Sequence, residues 1–142
     1  MATGFTITLE GEKQLSRRLG KLADNISDFQ PEISDSTSLL KTFFSVDVFN
    51  TRGSAIGESW VARKKEYPWK ILERTGRMRR SFATRAEKLK GEVWNAVTYF
   101  KYHQSGMPRT RLPRRVMMKL TNQLKDEIIS IFHKRLWYRV NK

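Results

Sequence analysis

Two alternating stretches in the second half of the chain give the framework of the predicted fold. Residues 82–86 and 92–97 alternate in polarity or size, and Lys90-Gly91 lies between them. Short alternating runs separated by a turn that contains glycine are typical of a β-hairpin. In such a hairpin the side chains of Val93 and Trp94 lie on opposite faces of the sheet. The sequence therefore predicts two antiparallel strands joined at Lys90-Gly91.

The first half of the chain shows one strand pattern and then two helical patterns. Residues 3–9 alternate apolar side chains with threonine, which predicts a strand. Residues 11–29 place leucine and isoleucine at intervals of three and four, which predicts an amphipathic helix that Pro31 ends. Asp35 or Ser36 is a suitable N-cap for a second helix, which runs to about Phe49.

The segment after the hairpin predicts a final helix. Residues 99–105 suggest a short helical turn that Gly106 ends, and residues 114–119 suggest a third strand. Thr121 is the expected N-cap of a helix that ends near Trp137. This order predicts an α+β fold, in which a small antiparallel sheet with a β-hairpin packs against two N-terminal helices and a C-terminal helix.

Residues 50–69 interrupt these patterns. They have no apolar periodicity, and they contain the chain breakers Gly53, Gly57 and Pro68. A long irregular segment inside a small domain often serves a function or becomes ordered on a partner. The parts on either side are too short to form separate cores, so we predict a single domain over residues 1–142 with a flexible loop at about 50–69.

Positive charge is concentrated in the second half of the chain. The 28 Lys and Arg residues exceed the 14 Asp and Glu residues, which gives a formal net charge of +14. Residues 1–62 carry six basic and eight acidic side chains, whereas residues 63–119 carry 17 and four. Such an excess indicates a polyanion or an acidic protein surface as partner. The predicted partner-contact residues are Arg63, Lys64, Lys65, Trp69, Arg77, Arg79, Arg80, Arg109, Arg111, Arg114 and Arg115.

A basic turn is predicted between the loop and the hairpin. Gly76 follows Thr75 and is suited to a positive φ, which would let the chain reverse direction. The side chains of Arg77, Arg79 and Arg80 would then be exposed, where their guanidinium groups could bind phosphates or carboxylates in bidentate fashion.

The sequence contains no pattern typical of an enzyme or a metalloprotein. The chain has no cysteine, which excludes disulfides and thiolate chemistry. His103 and His133 are the only histidines, and no acidic residue stands near either at a spacing suited to a metal site. We therefore expect no catalytic, metal or cofactor-binding residue. No apolar run is long enough to cross a membrane, and the N-terminus lacks the pattern of a secretory signal, so we expect an intracellular protein without membrane contact.

Three motifs follow one another in the second half of the chain. Residues 71–81, which read ILERTGRMRRS, have the form I-L-x-x-T-G-x-L-R-x-S with Met in place of the second Leu. Residues 99–106 have the form Y-x-x-x-H-Q-x-G, and residues 112–115 have the form I-P-x-R with Leu in the first place. In this order the motifs resemble those of tailed-bacteriophage virion morphogenesis proteins, the Mu-type tail-completion group. The motif residues are Thr75, Gly76, Tyr99, His103, Gln104, Gly106 and Pro113.

This resemblance covers about residues 40–136 and implies a structural role. It implies a small α+β subunit that forms a homo-oligomeric ring in the neck or at the head-proximal end of the tail, made in the host cytoplasm and located in the virion. Other neck and tail proteins would be its partners, namely a connector, a tail terminator or a tube, and passing DNA is a further possible contact. The resemblance implies no catalysis and no cofactor.

Two other classes of function remain open. A monomeric nucleic-acid-binding protein would use the basic and aromatic second half of the chain to clamp phosphates and stack bases. A metal-dependent hydrolase would depend on His103. The affinity of the first class for nucleic acid would fall steeply with salt, and the activity of the second would be lost in His103→Ala.

Overall fold

The fold is built from a three-stranded sheet and a helix over residues 30–42 that packs on one face of the sheet. The computed structural model describes residues 4–8, 10, 28–105 and 112–141. The strands are β1 (Gly4–Thr8), β2 (Phe82–Ala86) and β3 (Lys90–Asn95). The helices are α1 (Gln30–Thr42), α2 (Val48–Asn50), α3 (Arg77–Arg80), α4 (Phe100–Ser105) and α5 (Asn122–Val140). A π-helix (Phe43–Asp47) joins α1 to α2.

All strand pairs are antiparallel, in the order β1-β3-β2, so β3 is central. Phe5 on β1 and Thr84 on β2 both pair with Val93 on β3. Val93 is buried and faces the helices, whereas the neighbouring Trp94 lies half-buried on the opposite face. The predicted α+β fold is confirmed, and so is the opposite orientation of these two side chains.

The hairpin is confirmed, but the prediction that its turn lies at Lys90-Gly91 is wrong. Both residues belong to β3, and the turn is closed by a hydrogen bond from the Glu87 amide to the Lys90 carbonyl (2.7 Å). Gly91 is required for close packing instead. A Cβ atom there would lie 2.5 Å from Cγ2 of Ile33, because α1 crosses the sheet directly over this position.

Helix α1 begins earlier than its sequence predicts. Phe29 is the N-cap, so Pro31 lies in the first turn of this helix. Proline is tolerated at this place because the first amides of a helix have no partner within the helix. Asp35 and Ser36 are therefore not caps, and the Ser36 hydroxyl donates to the Glu32 carbonyl (2.8 Å). The predicted helix over residues 11–29 lies outside the described residues as far as residue 27.

Aromatic rings pack between the sheet and the helices over residues 30–50. Phe44, in the π-helix, is fully buried. Its ring centroid lies 5.8 Å from that of Phe5 and 6.3 Å from that of Phe82. The ring of Phe82 also contacts Phe49 and Phe100, in both cases edge-on. Such edge contacts add directional attraction to the burial of apolar surface.

Residues 50–69 contain one 3₁₀ turn (Ser54–Ile56) and no strand. Their first part is fastened to the core. Ile56 is buried, and the Trp60 amide donates to the Arg52 carbonyl (2.8 Å). Residues 61–68 are mostly exposed, so this part of the segment is available to a partner.

Helix α5 begins as predicted and ends later. The Thr121 hydroxyl accepts a hydrogen bond from the Leu124 amide (3.2 Å), which confirms the N-cap. The helix continues three residues beyond Trp137, and Arg139 forms an ion pair with the fully buried carboxylate of Glu32 (2.6 Å). The end of α5 is therefore fixed to the start of α1.

Candidate protein-interaction surface

Trp60 fixes the inner end of the exposed loop segment. Its indole Nε1 donates to the Val116 carbonyl (2.7 Å), and its ring lies edge-on to Phe49 at 5.3 Å. Burial of an indole costs free energy unless its N–H group donates to an acceptor, so this bond fixes the orientation of the Trp60 ring. The residues that follow, beginning with Val61, leave the core at a defined point.

The segment over residues 114–119 is not the predicted third strand, because it pairs with no strand among the described residues. The backbone of this segment forms hydrogen bonds with the side chain of Gln104 and not with a neighbouring strand of the described part of the chain. The Gln104 Oε1 atom accepts from the amides of Met117 (2.8 Å) and Met118 (3.1 Å), and its Nε2 donates to the Met118 carbonyl (2.7 Å). One side-chain amide group thus satisfies three backbone groups of a buried segment.

Arg115 connects this segment to the loop. Its backbone amide donates to the His103 carbonyl (2.8 Å), and its Nε and Nη2 both donate to the Val61 carbonyl (3.1 and 2.8 Å). Arg115 is only 7% exposed. Burial lowers the pKa of its guanidinium below the ordinary value, and the nearby positive charge of Arg63 lowers this pKa further.

A groove with a volume of about 500 Å³ lies between the loop and residues 112–115. Arg63, Lys64, Lys65 and Arg115 supply its positive charge. Its apolar lining comes from Val61, Ala62, Tyr67, Leu112 and Pro113. The groove therefore combines cations with aliphatic surface. We call it the basic groove.

Beside the basic groove, two aromatic rings stack on each other. The rings of Tyr67 and Trp69 lie 4.8 Å apart and are nearly parallel. Arg63 and Lys65 lie over the Tyr67 ring, at 5.6 and 5.7 Å from its centroid, and Arg74 lies over the Trp69 ring at 5.1 Å. Each ring is thus in contact with cations of its own chain, which the negative face of an aromatic ring attracts.

The basic turn before the hairpin is built as predicted at its glycine. Gly76 has a φ of +68°, and the Thr75 hydroxyl accepts from the Arg77 amide (3.3 Å). The side chains of Arg77 and Arg80 are exposed, and Arg80 Nη2 donates to the Thr75 carbonyl (3.0 Å).

The prediction that all three arginines of this turn are exposed is wrong for Arg79. Its side chain is 25% exposed and forms an ion pair with Glu73 (2.6 Å). It also donates to the Ser45 carbonyl (2.6 Å) and to Asn50 Oδ1 (2.8 Å), and it lies over the Phe49 ring. Arg79 therefore fastens the basic turn to the helical layer, where the sequence suggested only a surface charge.

His103 is half-buried beside the buried segment. Its Nδ1 atom is buried and forms no hydrogen bond with any residue that the structure describes. Burial lowers the pKa of His103, and the positive charge of Arg115 lowers it further. The ring of Tyr99 stands at right angles to that of His103, with centroids 6.5 Å apart. The neutral imidazole is the favoured form in this place.

The predicted contact residues fall into two groups. Arg63, Lys64, Lys65 and Arg115 line the basic groove, and Trp69 belongs to the adjacent stack. Arg77, Arg79 and Arg80 lie in the separate basic turn. Arg114 is exposed, and its Nε donates to the Gln104 carbonyl at 3.4 Å. Arg109, Arg111 and Gly106 lie outside the described residues.

Sequence reasoning missed two residues of this surface and left one apolar patch unnoticed. Tyr67 and Arg74 complete the stack, and the spacing of Tyr67 two residues before Trp69 was the only signal for it. On α5 the side chains of Ile129, Trp137 and Tyr138 are at least half exposed. Exposed aromatic side chains of this kind are common in protein interfaces.

Across residues 4–8, 10, 28–105 and 112–141, no His, Asp and Glu side chains are grouped so that they could hold a metal ion. No helix among the described residues is both long and apolar enough to cross a membrane. Comparison with protein-family models, with curated proteins and with solved structures finds no match.

Proposed function

We propose that this chain is a structural, non-enzymatic subunit of a tailed bacteriophage. It assembles as a ring in the neck or at the head-proximal end of the tail and helps to join the tail to the capsid. The proposal starts from the three sequence motifs at residues 71–81, 99–106 and 112–115 and from the way in which their residues are used.

The observation that carries the proposal is the direct contact between the second and third motifs. The amide of Arg115 bonds to the His103 carbonyl, and the Gln104 side chain binds the backbone just beyond Arg115. The first motif leads into Phe82, whose ring packs on Phe100 at the start of the second. These contacts between motif residues support the interpretation that the three motifs belong to one fold. The same contacts position the residues that line the basic groove.

Two exposed surfaces suit a subunit of a closed ring. A ring requires two different patches on each copy, since a head-to-tail interface joins unlike surfaces. The exposed Trp137 and Tyr138 of α5 offer one such patch for a neighbouring copy, and the basic groove is left for a partner of different chemistry. Neither resembles a reaction site, because the described residues combine no nucleophile, base and oxyanion donor there.

The nucleic-acid-binding alternative draws its support from the stacked Tyr67 and Trp69. Non-specific single-strand binding uses open aromatic faces on which bases stack. Here each ring stacks on the other and is also covered by cations of the same chain. Bases would have to displace these contacts, so the arrangement favours protein contacts over base stacking.

Deletion of the gene from the phage or prophage genome that encodes the chain tests the proposal. We expect DNA-filled heads and separate tails in electron micrographs of the deletion lysate, and restored joining when the gene is supplied from a plasmid. Mass spectrometry of purified wild-type particles should detect the chain. Normal infectious particles from the deletion strain would refute the proposal.

A salt titration with the purified full chain separates the alternative. A dedicated nucleic-acid-binding protein would bind oligonucleotides at sub-micromolar Kd, and log K would fall linearly with log salt by about 0.9 for each phosphate contacted. We expect weak binding and, in negative-stain images at high protein concentration, ring-shaped particles. Tight binding by a monomer that forms no rings would favour the alternative.

A further inference from the structure

The basic groove carries positive charge that no described residue neutralises. The ion pairs of the described residues involve other cations, such as Arg79 with Glu73 and Lys119 with Glu58. Glu66 is next to Lys65 in sequence, but it forms no ion pair with a described residue and does not line the groove. Cations that converge without a carboxylate repel one another, and a bound anion would remove this repulsion.

Arg115, which also lines the groove, is another cation without a carboxylate partner among the described residues. Arg115 is 7% exposed as a whole residue, and the described hydrogen bonds of its guanidinium go to the neutral Val61 carbonyl. Buried charges in proteins are normally paired, because loss of hydration is costly for an unpaired ion. Arg63 adds a second positive charge close by. The site is thus prepared for a negatively charged group that comes from outside the described residues.

The rest of the lining indicates a peptide as the source of that group. Val61 is 58% exposed and Leu112 is 40% exposed, and with Ala62 and Pro113 they form an aliphatic rim. A phosphate backbone offers nothing apolar to such a rim, whereas an acidic peptide offers aliphatic side chains between its carboxylates. A second copy of the chain is a poor occupant by charge, since each copy carries +14.

Two of the groove cations, Arg63 and Lys65, also lie over the Tyr67 ring of the adjacent stack. A guanidinium that lies over an aromatic face retains its in-plane N–H donors, and these match a carboxylate in bidentate geometry. Arg63 lies in this way over Tyr67. The aromatic rings therefore position donors for carboxylates and are not themselves a platform for bases.

We propose that the basic groove binds an acidic segment of another virion protein, in which carboxylate side chains alternate with aliphatic ones. The carboxylates contact Arg63, Lys64, Lys65 and Arg115, and the aliphatic side chains pack on Val61 and Leu112. This inference rests on the proposed function, because it names the partner chemistry of the same surface.

Fluorescence anisotropy with the purified full chain tests the inference. The probe is a short fluorescein-labelled peptide in which glutamate and leucine alternate. The groove variant is Arg63→Ala/Lys64→Ala/Lys65→Ala, and the matched control is Lys41→Ala/Lys88→Ala/Lys125→Ala, which removes the same charge from exposed positions elsewhere. We expect the groove variant to raise the Kd about tenfold or more and the control to raise it less than about threefold.

A second peptide, with serine in place of leucine, tests the aliphatic rim on the unmodified protein. It carries the same charge, and we expect its Kd to be about tenfold higher. Circular dichroism melts establish that both variants are folded, and the serine peptide keeps the test decisive even if the groove variant unfolds.

Any of the following results would overturn the inference. One is equal loss of affinity in the groove and control variants, which would mean general charge attraction. Another is equal binding of the two peptides, or no binding of either. The third is tighter binding of an oligothymidine of matched charge that is lost in the groove variant, since the groove would then serve nucleic acid. Head–tail joining in the deletion strain is scored separately, so failure of the groove leaves the proposed function standing.

Discussion

Replacement of Gln104 by leucine should destabilise the fold through the backbone that this side chain binds. The amide makes three hydrogen bonds of 2.7, 2.8 and 3.1 Å to Met117 and Met118, both of which are buried. Leucine has similar size but would leave two amides and one carbonyl without their partner. At a net value of about 1 kcal/mol for each bond, and with some access of water to the half-buried Gln104, the loss is about 2–3 kcal/mol.

Urea denaturation followed by circular dichroism measures this loss. The midpoint should fall while the slope of the free energy with urea stays unchanged, because the surface exposed on unfolding is the same. The melting temperature should fall by about 6–12 °C, at about 3–4 °C for each kcal/mol in a chain of this size. Gln123→Leu is the control, since Gln123 is exposed and the described hydrogen bond of its side chain, to Glu127, is long at 3.4 Å. A loss no larger than that of the control would refute the account of the buried segment.

Three further changes test other parts of the structure. Arg79→Ala should cost about 2–3 kcal/mol in urea denaturation, because three bonds and a ring contact are lost, whereas Arg77→Ala should cost less than about 0.5 kcal/mol. Gly76→Val should lower the free energy of unfolding by about 1–3 kcal/mol, since a β-branched residue is strained at a φ of +68°. The stability of the unmodified protein should fall as the pH drops below 6.5, because folding lowers the pKa of His103 and so disfavours its protonated form. Denaturation at several pH values should show a weaker dependence in His103→Gln.

Each of these tests has a result that contradicts it. Equal stability of the Arg77 and Arg79 variants would mean that the Arg79 contacts contribute nothing. Unchanged melting of the Gly76 variant would mean that the turn tolerates a side chain. An identical pH profile with and without His103 would assign the dependence to other groups.

The sequence predicted those elements whose signal is local. The N-cap at Thr121 and the strand β1 follow from side chains within a few residues of one another, and both are confirmed. The start of α1 and the turn of the hairpin were predicted at the wrong residues because proline and glycine have more than one structural use. Pro31 starts a helix, and Gly91 makes room for Ile33, which lies 58 residues earlier in the chain. That second use is visible only once the helix lies on the sheet.

The candidate surface could also be predicted from the sequence only in part. Charge alone singled out Arg63, Lys64 and Lys65, but nothing in the sequence places them beside Arg115, 50 residues later. Arg79 could not be distinguished from its neighbours, because its inward orientation depends on contacts with the helical layer. The side chain of Gln104 binds the backbone of Met117 and Met118, where the sequence predicts a strand. No periodic pattern in the sequence indicates this contact.

The position of β3 at the centre of the sheet determines the order in which the sheet can assemble. Strand β1 occupies residues 4–8, yet the strand with which it pairs among the described residues spans residues 90–95. During synthesis on the ribosome β1 therefore emerges before the strand with which it pairs, and this pairing can form only after residues 90–95 have been made. Once β3 is released, it can close the local hairpin with β2 first, since that loop is short, and capture the N-terminal strand afterwards.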